Sequence, residues 1–372
     1  MNHLTLLIKP ASSRCNLRCR YCFYQDVASH RQQADLGCMT EETARCVIRE
    51  AFQAVSPGGS ITFLFQGGEP TMAGLDYFRA FLTLEKEHQR KGITCHHAIQ
   101  TNGMVLDEAW AEFFREHGFL VGLSLDGTAF LHNKFRVDAK GEGTWQRVVA
   151  ALRLLEQHQV ETNLLCVVTG QTAKKPGQVY RTLREFQGHA LQLIPCMDPL
   201  EEAENAPDHS LTPEGYGKFL CQIFDCWYRD WKQGNYVSIR NFEDYLCHLL
   251  RMPPSSCAAS GSCGHYLVVE GDGSLYPCDY YVLDSWNMGN IRSTTIPEAM
   301  DSPISRKFLE EGRKRPSSCA SCRYASLCRG GCKRDWKPDG ENRYCGAYQT
   351  FFPYAIERLE EMAAAYAKNR GF

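Results

Sequence analysis

The first half of the chain alternates strand-like and helix-like segments, and this alternation limits the fold more than any other feature. Short apolar runs are each followed by a longer stretch with apolar residues at helical spacing, six times in succession. Repeats of this length predict a parallel sheet, and six of them favour a partial (β/α)6 barrel in the α/β class. The predicted strands are Leu4–Lys9, Ile61–Phe65, Thr94–Gln100, Phe119–Leu125, Val160–Val168 and Ala190–Ile194.

The second half has a different organisation. An acidic, proline-rich stretch over Pro195–Pro213 predicts a long loop, and two helical patterns follow over Pro213–Gly234 and Asn241–Met252. The cysteine-rich stretch Cys257–Cys345 has little apolar periodicity, so bound metal is expected to hold it together. It contains one predicted hairpin, Tyr266–Glu270 with Ser274–Tyr276, and an amphipathic helix over Thr350–Ala367 closes the chain.

We therefore predict a barrel over residues 1–235, a cysteine-rich domain over 236–350 and a C-terminal helix over 351–372. In such barrels the active site lies at the C-terminal ends of the strands, on the loops that follow them. In this chain the polar and glycine-rich residues occupy those loops. We expect the chemistry of the protein at that end of the barrel.

The balance of charge gives no reason to expect nucleic acid as a partner. The chain has 41 Lys and Arg against 43 Asp and Glu, for a net charge of −2. No apolar run approaches the ~20 residues of a membrane span, and no basic region precedes the short apolar stretch at the N-terminus. We therefore expect a cytoplasmic protein, in which 19 cysteines indicate metal ligands or reactive thiols rather than disulfides.

Eleven of the cysteines fall into three groups. Cys15, Cys19 and Cys22 form a C-x3-C-x2-C run directly after the first predicted strand. The other eight, which lie singly and mostly in apolar stretches, are interpreted as buried core thiols. The second group is Cys257, Cys263 and Cys278, and the third is Cys319, Cys322, Cys328, Cys332 and Cys345.

The first group has three thiols where a 4Fe–4S cluster usually has four. Cys38 is the nearest further cysteine, but it lies just ahead of a predicted helix start. A cluster on three thiolates leaves one iron open to an external ligand, and the amine and carboxylate of a methionine moiety are able to chelate it.

The C-x3-C-x2-C run resembles the signature of radical S-adenosylmethionine (radical SAM) enzymes. Gly67-Gly68-Glu69-Pro70, after the second strand, is similar to the family motif that holds the methionine amine; on its own it would predict only a tight turn. Ser124 and Asp126 follow the fourth strand, where the family contacts the nucleoside and methionine. Tyr24 and Gln66 lie next to the two motifs and are further candidate contacts for cofactor or substrate, with ordinary wall residues as the alternative.

The C-terminal cysteines resemble those of the SPASM domain, which holds two auxiliary 4Fe–4S clusters. The resemblance implies three clusters in all. Two tetrahedral zinc sites are the alternative for eight thiolates, and the x5 and x3 spacings favour iron–sulfur. The implied first auxiliary set is Cys257, Cys263, Cys278 and Cys332, and the second is Cys319, Cys322, Cys328 and Cys345.

Within this superfamily the chain resembles the anaerobic sulfatase-maturating enzymes along nearly its whole length. One departure is His265, where some relatives carry a further cysteine. The family oxidises the β-carbon of a Cys or Ser in a sulfatase to Cα-formylglycine. The stretches that carry the resemblance are residues 7–13, 22–24, 65–71, 100–103, 121–124, 237–240 and 276–279.

The resemblance also implies roles and partners. Asp279, directly after Cys278, matches the general base of the family, although a solvated turn would also explain an aspartate there. The cofactor supplies a 5′-deoxyadenosyl radical for hydrogen abstraction, because no side chain is a strong enough oxidant. The expected partners are a sulfatase segment with the motif Cys/Ser-x-Pro-x-Arg and a flavodoxin- or ferredoxin-like electron donor. We expect a monomer, and the acidic residues Glu201, Glu202 and Glu204 are candidates to attract the substrate arginine.

Two other functions stay open at this point. A SPASM peptide maturase forms thioether or carbon–carbon crosslinks; the position of Cys15, so near the start of the sequence, disfavours the leader-binding domain that such enzymes often carry. A zinc-stapled binding protein is the non-enzymatic alternative. The metal separates the two classes, because iron–sulfur protein is brown and zinc protein is colourless.

Overall fold

The computed structural model describes residues 1–186, 190–201, 206–264 and 266–370. All six predicted barrel strands form within two residues of their expected ends, each followed by a helix. The strands are β1 (His3–Ile8), β2 (Ser60–Phe65), β3 (Thr94–Thr101), β4 (Leu120–Ser124), β5 (Thr162–Val168), β6 (Ala190–Pro195), β7 (Leu267–Val269) and β8 (Leu275–Tyr276).

The helices include both long amphipathic elements and single turns. Short polar side chains cap several of them: Thr40 accepts a hydrogen bond from the amide of Thr43, and Asp107 accepts one from that of Trp110. The helices of the described residues are α1 (Phe23–Ser29), α2 (Glu41–Ala54), α3 (Leu75–His88), α4 (Glu108–Glu116), α5 (Ala129–Phe135), α6 (Trp145–Gln157), α7 (Pro176–Glu185), α8 (Pro213–Lys232), α9 (Arg240–Leu249), α10 (Cys257–Ser260), α11 (Ile296–Met300), α12 (Pro303–Glu311), α13 (Ala325–Cys328) and α14 (Cys345–Arg370).

The chain divides into two compact units. Unit 1 comprises Met1–Ser124, Arg136–Thr162 and Gly264–Leu309, and unit 2 comprises Leu125–Phe135, Asn163–Cys263 and Glu310–Phe372. Both units draw on the barrel half and on the cysteine-rich half of the sequence. The predicted domain limits at residues 235 and 350 do not mark these units, and they stay a prediction.

Unit 1 is built on a mixed sheet. Strands β1 to β4 pair in parallel in sequence order, and β7 pairs in parallel with the free edge of β1. β7 and β8 form the predicted antiparallel hairpin, although each strand is shorter than expected. The core of unit 1 contains a group of packed aromatic rings, those of Phe63, Phe65, Phe78 and Phe119. The apolar core therefore fixes the strand ends whose loops carry the predicted cofactor motifs.

Unit 2 contains the parallel pair of β5 and β6 and the long helices α8 and α14. Helix α14 begins at Cys345, five residues before the predicted start, and runs to Arg370 with Pro353 inside it. No helix signal marks this first turn, because Cys345 and Gly346 are neither good caps nor good helix formers. Phe351, Phe352 and Leu359 of this helix are fully buried.

The eight single cysteines only partly follow their interpretation as buried thiols. Cys166 and Cys196 are buried and five others are half-buried, but Cys38 is exposed. Cys38 lies in an irregular segment ahead of α2, where its sulfur accepts a hydrogen bond from Arg14 at 3.3 Å, so the core interpretation is wrong for this residue. All nineteen cysteines lie in the described part of the chain, and none of them forms a disulfide there. Within the same part of the chain, every helix is too short or too polar to cross a lipid bilayer.

Candidate active site

The three cysteines of the first group lie in unit 1 on the loop between β1 and α1. Backbone hydrogen bonds hold this loop at several points: the amide of Arg18 donates to Val137 at 2.7 Å, and that of Glu69 donates to the carbonyl of Arg14 at 2.7 Å. Cys22 directly precedes the first residue of α1. The loop is thus tied to its neighbours through its backbone.

The thiols of this loop lie near one another and among polar groups. Burial raises the pKa of the Cys15 thiol to about 11, and the nearby charges of Glu69 and Cys22 raise it as well. A hydrogen bond from the Leu17 amide acts in the opposite direction and lowers this pKa. Arg136 approaches the sulfur of Cys19 at 3.9 Å. A thiol with a raised pKa becomes an effective anionic ligand when a metal centre stabilises its thiolate. The role of these three residues as the ligand set of one cluster stays a prediction.

The Gly-Gly-Glu-Pro loop after β2 needs its glycines for close packing. Gly67 and Gly68 both have positive φ, at 101° and 36°. A Cβ on Gly68 would lie 2.2 Å from the carbonyl oxygen of Arg14, inside the cysteine loop. A side chain at Gly68 would therefore push the two predicted cofactor loops apart.

Glu69 anchors the same loop from within. Its buried carboxylate accepts hydrogen bonds from the amide and hydroxyl of Thr71, from the hydroxyl of Thr101 and from the amide of Asn102, at 2.7 to 3.1 Å. Burial raises the pKa of Glu69, and these four donors oppose the rise. The carboxylate thus links the loops after β2 and β3, and any direct contact of Glu69 with the cofactor stays a prediction.

The two predicted contacts after β4 fall in different units. Ser124 is half-buried at the end of β4 in unit 1. Asp126, in unit 2, is buried; its carboxylate accepts the amide of Val167 at 2.9 Å, and its own amide donates to His132. The structure gives Asp126 a part in fixing the end of β5, and the predicted cofactor contacts of both residues stay predictions.

Asp279 is buried rather than solvated in a turn. It begins a short 3-10 helix over Asp279–Tyr281, after β8, and is 3% exposed. Lys9, at the end of β1, forms an ion pair with Oδ1 of Asp279. Gln66, at the end of β2, donates to Oδ2 at 2.8 Å. The sequence placed Gln66 beside the cofactor motif; the structure brings its amide to the proposed base.

A second polar network lies next to this one in unit 1. The hydroxyl of Tyr24 donates to the buried carboxylate of Glu270, which also accepts Arg31 at 2.8 Å. Burial and the charge of Glu270 raise the pKa of Tyr24. The Tyr24 hydroxyl already has a protein partner, and Nζ of Lys9 lies 3.6 Å from the centre of its ring.

Lys9, Arg31 and Glu270 were missed as site residues in the sequence. Lys9 gave one usable signal, since a lysine that ends an otherwise apolar strand is rarely buried without a partner. Arg31 and Glu270 carry no local signal in the sequence, because they form their ion pair only after β7 joins the free edge of β1.

The second auxiliary set is brought together within unit 2. Burial raises the pKa of the Cys328 thiol to about 11, and the neighbouring thiols of Cys345, Cys319 and Cys322 raise it further. These four thiols are therefore neighbours, and their role as the four ligands of one cluster stays a prediction.

The first auxiliary set is divided between the units. Cys257, Cys263 and Cys332 lie in unit 2 and Cys278 lies in unit 1, where the hydroxyl of Tyr266 is 3.5 Å from its sulfur. The grouping of these four as ligands of one cluster stays a prediction. His265, the departure from the family pattern, lies outside the described residues.

Family models define the class of the protein. The model of the radical SAM superfamily matches residues 10–183, and that of the SPASM iron–sulfur cluster-binding domain matches residues 261–323. The first span contains the C-x3-C-x2-C run, the Gly-Gly-Glu-Pro loop and the residues after β4. The chain is therefore a radical SAM enzyme with a SPASM domain, a class that uses S-adenosylmethionine and iron–sulfur clusters.

Curated relatives narrow the class to one family. The cysteine-type anaerobic sulfatase-maturating enzyme of Clostridium perfringens is 42% identical over 98% of this chain and 99% of its own length. That of Clostridium novyi is 38% identical over 99% of both chains, and the serine-type enzyme of Klebsiella aerogenes is 34% identical over 93% of this chain and 84% of its own. The chain belongs to the anaerobic sulfatase-maturating enzymes.

Solved structures agree with this placement. Native anSMEcpe with bound AdoMet (S-adenosylmethionine) has a TM-score of 0.92 at 42% identity, covering 97% of this chain and 99% of that one. The same protein with AdoMet and the Cp18Cys peptide gives 0.92 at 41% identity over 98% and 99%. Streptococcus suis SuiB gives 0.64 at 15% identity over 92% and 75%, which shows a shared fold only. The predicted fold class is confirmed.

Proposed function

We propose that this enzyme oxidises the β-carbon of a cysteine in a sulfatase polypeptide to give Cα-formylglycine. The family to which the chain belongs supports this activity, and Asp279 is the observation in the structure that carries it. A buried carboxylate held by Lys9 and Gln66 lies in the same unit as the cysteine run and the Gly-Gly-Glu-Pro loop. Conversion of Cβ to a thioaldehyde needs a base for one proton, and Asp279 is suited to that role.

Each predicted cofactor has a proposed set of residues. Cys15, Cys19 and Cys22 would hold the cluster that binds S-adenosylmethionine, and this pair supplies the hydrogen-abstracting radical when bound. Gly67 and Gly68 would present backbone groups to the methionine amine, while Glu69 fixes their loop. The two auxiliary sets of four cysteines bring the proposed total to three clusters, and they would accept the electron that the substrate loses.

We propose cysteine rather than serine as the target. The sequence alone leaves the choice open. The cysteine-type relatives match at 38–42% identity over nearly all of both chains, and the serine-type relative from Klebsiella aerogenes at 34% over a smaller share. A thioaldehyde formed from cysteine exchanges its sulfur for oxygen by hydrolysis, which completes the product.

The partners follow from this chemistry. The substrate would be an extended segment with the motif Cys-x-Pro-x-Arg. Of the acidic residues proposed to attract its arginine, Glu201 is exposed, whereas Glu202 and Glu204 lie outside the described residues. A low-potential flavodoxin- or ferredoxin-like protein would supply electrons. A monomeric state and a cytoplasmic location are part of the same proposal, and cysteines without disulfide bonds among the described residues are consistent with a reducing compartment.

A peptide assay tests the proposal. Anaerobic enzyme with reductant and S-adenosylmethionine is incubated with a peptide containing Cys-x-Pro-x-Arg and, separately, with its Ser counterpart. We expect the Cys peptide to exchange one sulfur and two hydrogens for one oxygen and to react with a hydrazide as an aldehyde. Loss of two hydrogens with retention of sulfur and no hydrazide adduct would instead indicate a crosslinking maturase. Faster conversion of the Ser peptide would overturn the cysteine assignment.

A further inference from the structure

Lys9 is the one fully buried lysine among the described residues, and it lies in the proposed active site. It has 0% of its surface exposed and follows directly after β1. Lysine is almost never fully buried unless it is paired. Its Nζ is paired with Asp279, and the ring of Tyr24 lies 3.6 Å away. The charge of Lys9 is therefore stabilised by the proposed base on one side and by an aromatic ring on the other.

The cofactor loop is shaped around this lysine. A Cβ on Gly67 would lie 2.6 Å from Cγ of Lys9 and 2.8 Å from its Nζ. Contacts that short do not occur between real atoms, so any residue with a side chain at Gly67 would displace the lysine. The first glycine of the Gly-Gly-Glu-Pro motif thus makes room for the cation that contacts Asp279.

Two donors hold the carboxylate of Asp279 in one orientation. Lys9 binds Oδ1, and Gln66 donates to Oδ2 at 2.8 Å. Gln66 is neutral, so Lys9 is the only one of the two that stabilises the negative charge. A general base must be held in a fixed orientation toward the proton that it removes, and loss of the Lys9 contact would leave the carboxylate with one of these two donors.

We propose that Lys9 is a positioning residue for the reaction: its contact with Oδ1 holds the Asp279 carboxylate in the orientation that removes the substrate proton. The inference rests on the proposed function, in which Asp279 is the base. It assigns Lys9 no contact with substrate or cofactor. Loss of the lysine charge should therefore slow product formation after the cofactor has been cleaved, and leave cofactor cleavage itself intact.

The test is the Lys9→Met variant, which keeps the length of the side chain and removes its charge. We expect formylglycine formation to fall about 10- to 100-fold, within the range of a general base that is only partly disabled. The KM for the peptide and the rate of 5′-deoxyadenosine formation should stay within about twofold of wild type, so that more 5′-deoxyadenosine forms per aldehyde. Lys91→Met, at an exposed lysine in the same unit, is the matched control.

Other outcomes overturn the proposal. If aldehyde and 5′-deoxyadenosine fall together in Lys9→Met, the lysine has a general structural role; if neither falls, it has no role in the reaction. Failure of the wild-type enzyme to make any aldehyde would instead overturn the proposed function itself.

A double variant keeps the proposal testable if Lys9→Met folds poorly, because an unpaired buried charge is strongly destabilising. Asp279→Asn with Lys9→Met removes both charges together. Since Lys9 is proposed to act through Asp279, the double variant should make product at the rate of Asp279→Asn alone. A further tenfold loss in the double variant would show that Lys9 acts independently of Asp279, against the proposal.

Discussion

The two cysteine regions that carry predicted clusters are supported in different ways. In unit 1, Cys15, Cys19 and Cys22 lie on a loop that follows a buried parallel strand and is held by backbone hydrogen bonds to Glu69 and Val137. In unit 2, the segment 317–345 contains only short helical turns, and Leu327 and Tyr344 are its only buried apolar side chains. The first region therefore has a scaffold independent of metal, whereas we expect the second to depend on its predicted ligands.

This difference predicts that ligand loss affects activity in the first region and local stability in the second. Loss of a ligand in the first region should remove activity and leave the fold, because the sheet holds the loop. Loss of a ligand in the second region should open the polypeptide locally, because few apolar contacts oppose it.

The largest expected effect is loss of cofactor cleavage from the first region. Replacement of Cys15, Cys19 and Cys22 by Ala should reduce 5′-deoxyadenosine formation to background and lower the iron content from about twelve to about eight atoms per chain. Cys38→Ala, at an exposed cysteine near the same loop, should change neither quantity. Stoichiometric zinc with little iron in anaerobically purified wild-type protein would contradict the cluster assignment.

The next effect is a loss of product without loss of cofactor cleavage. Asp279→Asn removes the proposed base and should lower aldehyde formation about 10²- to 10⁴-fold while 5′-deoxyadenosine still forms. Asp284→Asn, at an exposed aspartate five residues further on, serves as the control. A wild-type rate of aldehyde formation in Asp279→Asn would exclude this residue as the base.

These two effects fall on residues with very different sequence signals. Spacing alone identified the three cysteines, and the period of apolar residues placed β1 to β6 within two residues of their observed ends. The surroundings of Asp279 could not be predicted in the same way. Lys9, Gln66 and Asp279 come together because β7 joins the edge of β1, a pairing across about 260 residues that no local pattern encodes.

Helix α14 illustrates a second limit of the sequence. The spacing of apolar residues predicted its body, but its first turn contains Cys345 and Gly346, which carry no helix-start signal. The interpretation of lone cysteines as core residues has a similar weakness. Cys38 lies in an irregular segment, where exposure depends on packing that composition does not report.

The second region is tested by proteolysis. Cys328→Ala removes one of four proposed ligands, and trypsin should then cut at least about tenfold faster within residues 313–345, since a tenfold change corresponds to about 1.4 kcal/mol of local opening. Cys221→Ala, at a half-buried cysteine of helix α8 in the same unit, is the control. Equal cleavage of Cys328→Ala and wild type would mean that this segment is stable without its full ligand set.

The smallest expected effect is a pH dependence within the same segment. Burial raises the pKa of Asp335 to about 6, against the opposing charges of Arg343 and Arg334. A carboxyl whose pKa is higher in the folded state contributes stability below its unfolded pKa, near 3.9, and this contribution is lost as the pH rises through about 6.

Asp335→Asn removes that dependence. The free energy of unfolding of the variant minus that of wild type should be about 1 kcal/mol larger at pH 8 than at pH 5. Thermal unfolding of both proteins at the two pH values measures this difference. Asp339→Asn, at an exposed aspartate nearby, should show no such difference between the two pH values. If the stability of Asp335→Asn changes with pH as that of wild type does, the arginines already compensate the buried carboxyl.

Isotope transfer from a labelled peptide tests whether the enzyme abstracts hydrogen from the β-carbon of a cysteine. A Cys-x-Pro-x-Arg peptide with two deuterium atoms on the β-carbon is incubated with enzyme, reductant and unlabelled S-adenosylmethionine. We predict that 5′-deoxyadenosine gains one deuterium and that the aldehyde retains the other. Unlabelled 5′-deoxyadenosine from this peptide, with deuterium transferred only from a peptide labelled at the α-carbon, would contradict the account.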